Sequence, residues 1–267
     1  MHATKASEIY FDTFNSNVKT AYDTSFTIND PLVSVGSNLA EVSVQEVIIP
    51  NVVYPVNRYY NTVYWTEFNV LAVNKQATLE YNNYTGPQFA AALQQQMSFA
   101  SATSFTVTYD EQAKKLTFTI AVGTFLFRSG ERDLNAEMGI TDGQPELTTF
   151  STMHTSSSPI NISGSKYVTL STNLQTPNVA VGRQLDPLAV IPLTLGFGQV
   201  ISWSPQTEKP ITLPGRNLTS LNLQLYDDRG NLWELPETHD IQFTLFIRYH
   251  KGEEADRSQP LQIETIY

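Results

Sequence analysis

Four histidines, at positions 2, 154, 239 and 250, are the side chains best suited to proton transfer or metal binding near neutral pH. Their spacing supports neither. No two stand at i and i+4, and no carboxylate sits at the spacing of a zinc-hydrolase helix. His250, after the last strand-like run, reads as an end-of-strand residue. Gly196-Phe197-Gly198 is half of a dinucleotide fingerprint, but strand-like residues follow it, so phosphate would lack the helix N-terminus it needs. Asp227 and Asp228 with Glu234 and Glu237 could be imagined as calcium ligands or an acid–base pair. Tight turns already favour Asp, whose carboxylate bonds nearby backbone amides, so the turn explains the first two. Gly-x-Ser-x-Gly is absent, and no serine, histidine and acid can be grouped from spacing. A small β-rich enzyme would need a pocket with convergent polar groups, with Glu237, His239 and Asp240 its nearest candidates. No catalytic, cofactor-binding or metal residue is expected, no cofactor is implied, and the chain is read as a non-enzyme.

Composition narrows the partners. Charged residues make up 16% of the 267, below the roughly 25% usual in globular proteins. A surface rich instead in Thr, Ser, Asn and Gln suits extensive contact with other protein. The net charge of -10 leaves no basic face to release counterions from phosphates, so direct nucleic-acid binding is not expected. Lys114 and Lys115, the longest basic feature, read as solvated hairpin charges. Cysteine is absent, which fits folding in a reducing compartment. The first residues lack the apolar run of a secretory signal, and no stretch reaches the ~20 apolar residues of a membrane span. The chain is expected to be soluble and cytosolic when made, which gives the sequons at Asn83, Asn161 and Asn217 little weight.

The elements that would position any site are mostly strands. Leu221, Leu223 and Leu225 alternate with Asn222, Gln224 and Tyr226, and Ile241, Phe243, Leu245 and Ile247 alternate with Gln242, Thr244 and Arg248. Between them Asp227-Asp228-Arg229-Gly230 signals a hairpin. Ile9 to Phe11 and Phe26 to Ile28 give an N-terminal arm and first strand within 1–30. Val42, Val44 and Val47 to Ile49 form a stronger strand closed by Pro50. Tyr54, Tyr59, Tyr60, Tyr64, Trp65 and Phe68, with Val70, Leu71 and Val73, add one or two more. One helix stands out: Thr85 and Gln88 have capping-box spacing, Pro87 suits the first turn, and Phe89, Ala92, Leu93 and Met97 share a face. Phe105–Tyr109 and Leu116–Ile120 follow as a hairpin. Residues 78–150 thus read as an inserted α+β subdomain, 31–77 and 151–250 as the body, and 251–267 as a C-terminal extension. The Ser- and Thr-rich run 151–158 reads as a loop returning to the body, because it has little apolar surface to offset its ordering entropy.

The order of several motifs carries a resemblance. Glu41-Val42-Ser43-Val44-Gln45-Glu46-Val47-Ile48-Ile49-Pro50-Asn51, Tyr84-Thr85-Gly86-Pro87-Gln88-Phe89 and Leu134-Asn135-Ala136-Glu137-Met138-Gly139-Ile140 come in succession. Tyr167-Val168-Thr169-Leu170-Ser171, Leu221 to Leu225, Asp227 to Gly230 and Phe243 to Arg248 complete the series. This succession resembles the minor capsid or penton proteins of Polinton-like viruses, virophages and related double-stranded DNA viruses. The resemblance implies a mainly β fold, a single jelly-roll β-sandwich with the small α+β subdomain inserted. It implies a virion structural protein, made in the host cytoplasm, that forms a homopentamer at icosahedral vertices and contacts the major capsid protein and other minor capsid proteins. Val52-Val53-Tyr54 stands where the family often carries a Trp-containing segment.

Assembly through loops and termini selects apolar groups set in polar stretches: Tyr10, Phe11 and Phe14 near the N-terminus, Tyr59 and Tyr60, and Leu261, Ile263 and Ile266 in the tail. The rival is a receptor- or carbohydrate-binding β-sandwich of the spike or fibre kind, in which exposed Trp65, Trp203 or Trp233 would stack on sugar rings. Burial of those rings would remove its support.

Overall fold

The computed structural model describes residues 5–16, 18–19, 23–27, 39–172, 187–208, 210–214, 220–233 and 238–250. It divides into two compact units, one of residues 1–51 with 167–267 and an inserted unit of residues 52–166. The chain enters through β1 (Lys5–Asp12), β2 (Val18–Lys19), β3 (Asp23–Thr27) and β4 (Leu39–Pro50). The inserted unit holds β5 (Thr62–Phe68), β6 (Ala72–Thr78), α1 (Gly86–Ala100), β7 (Phe105–Asp110), β8 (Lys115–Ile120), β9 (Thr124–Arg128), α2 (Pro145–Thr148) and β10 (Met153–Thr155). The chain then adds β11 (Tyr167–Thr172), β12 (Ala189–Pro192), β13 (Val200–Trp203), β14 (Ile211–Pro214), β15 (Ser220–Tyr226) and β16 (Gln242–His250). The fold is mainly β.

The first unit carries two antiparallel sheets. One runs β1-β16-β4-β13, with β14 also on β4; the other runs β12-β11-β15-β3-β2. Ile241, Phe243, Leu245 and Ile247 are buried and the residues between them half-buried, so the period of two in the sequence is realised as one inward face. β4 keeps its own apolar residues inward only by changing phase. Thr244 of β16 faces Glu46, but Leu245 faces Val44, which leaves Gln45 as an extra residue in a bulge. Val42 and Val44 before it and Val47 and Ile49 after it therefore all point inward, whereas an unbroken strand would have sent one pair to solvent.

The Asp227 turn forms as its residue types require, but it does not join β15 and β16 as the expected hairpin, because β15 pairs with β11 and β3 while β16 pairs with β1 and β4 in the other sheet. The Asp227 carboxylate accepts from the Arg229 N–H at 2.9 Å, the Asn231 N–H at 2.7 Å and the Asn231 side-chain amide at 2.9 Å. Gly230 takes the left-handed φ of +80° that ends the turn. Asp227→Ala is expected to lower stability by about 2 kcal/mol, because it strands amides that the carboxylate satisfies. Urea unfolding followed by circular dichroism measures this, and an unchanged midpoint would refute it.

The inserted unit pairs β6-β5-β9 in one sheet and β10-β8-β7 in another. α1 lays Phe89, Ala90, Leu93 and Met97 into a core with Trp65, Phe118, Phe125, Phe127 and Leu134. Its start uses the Gln88 carboxamide, which accepts the Thr85 N–H at 3.0 Å. Two boundaries differ from the sequence reading. β5 and β6, expected in the body, belong here because β5 pairs with β6 and β9, so this unit begins at Val52 instead of residue 78. The Ser- and Thr-rich run is not a returning loop: β10 pairs with β8, and the buried Ser156 hydroxyl accepts the Leu116 N–H at 3.1 Å and donates to the Ser158 carbonyl at 3.0 Å. Hydroxyls and backbone bonding supply there the cohesion that apolar side chains do not. Lys115 is not simply solvated either, since its ammonium donates to the Ser157 carbonyl at 2.9 Å.

Candidate interaction surfaces

Strand order decides which residues of the first unit meet solvent. Among the described residues β1 bonds to β16 alone and so forms a sheet edge, and its alternation separates the expected contact residues. Phe11 points inward and is buried, its ring stacked on Phe243 at 4.8 Å with 8° between planes. It is a core residue and offers nothing to a neighbour. Tyr10, one position away, is 58% exposed, and Phe14, lifted on the 3-10 turn Thr13–Asn15, is 77% exposed. Asp12 caps that turn by accepting the Phe14 N–H at 3.0 Å. Thr13 anchors it, donating its hydroxyl to Asp240 at 3.0 Å and accepting the Ile241 N–H at 2.9 Å. Desolvation of the Tyr10 hydroxyl, with the carboxylates of Asp12 and Glu46, holds the phenol above its ordinary pKa.

Among the described residues a second edge lies where β12 and β13 end their sheets. Val190, Leu195, Phe197 and Val200 are exposed along it. Beside them a cleft of about 640 Å³ is lined by residues of both sheets, among them Val44, Leu188, Pro192, Trp203 and Pro205. These side chains offer shape and apolar area, with no charged group among them. The connection is held in place by Asn51, whose side chain donates to the Leu195 carbonyl at 2.8 Å while its carbonyl accepts the Gly198 N–H at 2.7 Å.

The remaining sequence candidates disperse. Tyr59 and Tyr60 are half-buried in the inserted unit, their rings 6.4 Å apart. Tyr60 packs against the core, and Arg58 lies over the Tyr59 ring and bonds its hydroxyl. Leu261, Ile263 and Ile266 lie outside the described residues, as do His2, Glu234 and Glu237. His154 is buried against Phe125, edge-on at 4.9 Å, with Nε2 bonded to the Phe125 carbonyl at 2.9 Å. His239 bonds the neighbouring Thr238 hydroxyl through Nδ1 at 3.0 Å, and Asp240 is engaged by Thr13. Among the described residues no three His, Asp or Glu side chains group as metal ligands. Trp65 and Trp233 are buried and Trp203 is half-buried in the cleft, so two of the three rings that a sugar-stacking surface would use face the interior.

Sequence reasoning missed an apolar cluster in the inserted unit, formed by Phe68, Val70, Leu71, Val73, Val122 and Phe150, all exposed. A signal was present: Phe68 to Val73 is apolar apart from Asn69, and Asn69, Val70 and Leu71 form the turn between β5 and β6. Apolar residues at a turn, where polar ones are usual, point outward.

No protein-family model and no curated protein matches this sequence. Among solved structures the chain is similar to the penton protein of mavirus. The two share 12% sequence identity and a TM-score of 0.53, over 92% of this chain and 99% of that one, so the likeness is one of fold and runs nearly end to end.

Proposed function

We propose that this chain is a viral capsid protein of the penton kind, a structural component of the virion without catalytic activity. The observation that carries the reading is the correspondence with the mavirus penton protein over almost the whole of both chains, inserted unit included. Strand order supports a single jelly roll. Counting β1, β3, β4, β11, β12, β13, β15 and β16 as the eight strands, one sheet runs first-eighth-third-sixth and the other second-seventh-fourth-fifth. The inserted unit then falls between the third and fourth strands.

In this reading copies of the chain close into a homopentameric ring at the vertex, with the major capsid protein and other minor capsid proteins around it. A cyclic ring needs two different patches on each molecule, because every contact is head to tail. The β1 side, with Tyr10 and Phe14, supplies one, and the β12–β13 side, with Val190, Leu195, Val200 and the adjacent cleft, supplies the other. Both are apolar, and they lie at opposite ends of the first sheet.

The test is the mass of the purified protein in solution, alone and with the major capsid protein of the same virus. A pentamer, or a complex with capsid trimers, is the expected result. Phe14→Asp is expected to weaken ring formation at least about tenfold, since it places a charge where an apolar contact forms. A monomer at every concentration that ignores the major capsid protein would overturn the reading.

A further inference from the structure

In the inserted unit, α1 and the segment 79–84 that leads into it enclose a groove of about 470 Å³ that assembly through the sheet edges leaves unused. Gln88, Ala91, Ala92, Gln95 and Gln96 line it from the helix, at the three- and four-residue spacing that puts side chains on one face. The alanines make it concave. Their methyl groups, with buried Leu79, leave an apolar floor between Gln88 and the Gln95–Gln96 pair, and Glu80, Asn82 and Tyr84 line the other side. Backbone bonding fixes that second wall, since the Leu79 N–H donates to the Asn61 carbonyl at 2.8 Å and the Asn82 N–H to the Val56 carbonyl at 3.1 Å. The Tyr84 hydroxyl donates to the Glu80 carbonyl at 3.0 Å, and its ring packs 6.0 Å from that of Phe89. The groove is therefore preformed.

Its polar groups are open to a ligand. The Glu80 carboxylate and the Gln95 and Gln96 carboxamides make no hydrogen bond among the described residues. Gln88 commits its oxygen to the Thr85 N–H at 3.0 Å, which leaves its amide hydrogens as donors. The helix thus offers both donors and acceptors, and the facing wall adds a carboxylate. Among the described residues that line the groove none is Lys or Arg, and the charge it carries is that of Glu80. Phosphate, sulfate and carboxylate ligands meet repulsion there, reinforced by a net charge of -10 on the chain.

We infer that this groove binds an uncharged oligosaccharide. A sugar hydroxyl donates and accepts at once, so neighbouring hydroxyls of a pyranose ring match the donor and acceptor of one carboxamide or the two oxygens of one carboxylate. The C–H face of the same ring is apolar and suits the alanine floor and the Tyr84 ring. Hydrogen bonds do here what indole stacking would do elsewhere, and Trp65 and Trp233 are buried away from it. The volume falls within the roughly 300–1,000 Å³ of small-ligand sites. The groove lies wholly within one copy, so it operates with or without ring formation.

An array of immobilised neutral and sialylated oligosaccharides tests this. The intact protein is expected to bind neutral members, and the same sugar free in solution is expected to compete. The double variant Gln95→Ala, Gln96→Ala is expected to weaken binding at least about tenfold, because it removes two hydrogen-bonding carboxamides while keeping good helix formers. Ala91→Phe, at an exposed position, is expected to abolish binding by filling the floor. Phe99→Ala, which removes an 89% exposed ring from α1 outside the groove, is expected to leave binding unchanged. Circular dichroism checks that the variants fold. Wild-type protein that binds no neutral sugar, binding confined to sialylated members, binding that free sugar does not displace, or groove variants that bind like wild type would each overturn the proposal.

Discussion

Trp65→Ala is expected to unfold the inserted unit or leave it marginal. The indole is fully buried on β5, edge-on to Phe105 at 5.8 Å and 79°. Truncating such a ring in a packed core costs about 3–5 kcal/mol through lost transfer energy and the cavity left behind. A second loss is added, because Trp65 Nε1 donates to the buried Glu67 carboxylate at 2.7 Å, and stranding that oxygen costs about 1–3 kcal/mol more. The sum rivals the whole stability of an ordinary domain, about 5–15 kcal/mol. Trp65→Phe separates the terms by keeping most of the ring while deleting the donor. Chemical denaturation followed by circular dichroism gives both values, and a Trp65→Ala midpoint near wild type would remove this ring from the centre of the core.

Gly139→Ala is expected to have an effect of similar size for a backbone reason. Gly139 sits at φ +75°, and a Cβ there would lie 2.1 Å from the Ser158 carbonyl oxygen and 2.9 Å from that of Pro159. The two segments are also bonded to each other. The Gly139 carbonyl accepts the Ser158 N–H at 2.8 Å and the Ser157 hydroxyl at 3.1 Å. A methyl group cannot enter without parting them, so the left-handed strain of about 1–2 kcal/mol is joined by broken hydrogen bonds, for an expected total of at least about 3 kcal/mol. Gly143→Ala is the matched control, with φ +78° but nothing within 4 Å of the added Cβ. It should show the strain alone. Equal losses for the two variants would mean that the close approach at Gly139 has no energetic consequence.

Much of the body was legible because one physical signal dominates it. β15 and β16 alternate apolar and polar residues with one face buried, and α1 announces itself through Thr85, Pro87, Gln88 and the stripe from Phe89 to Met97. Membership was not legible. A period of two says which way Trp65 and Val63 point but not which sheet receives them, and β5 was assigned to the wrong unit because its partners β6 and β9 are a matter of pairing. β10 escaped notice because its cohesion comes from hydroxyls and backbone hydrogen bonds, which leave no trace in hydropathy. Tyr10, Phe11 and Phe14 were grouped as contact residues, but the strand sends Phe11 inward against Phe243 and leaves the other two outside. The exposed apolar turn went unread because Val70 and Leu71 pass for strand residues until the turn that carries them is known.

The pairing of β1 with β16 also governs when this molecule can be finished. Residues 5–12 pair with residues 242–249, and β4 takes the same late strand on its other flank. On the ribosome, the early strands must therefore wait until residues 242–250 have emerged, whereas β5 to β10 find their strand partners within residues 52–166 and can pair sooner. The nascent chain thus emerges with a paired middle and an unsealed frame, and β16, the last of the described strands, is the one that shuts it.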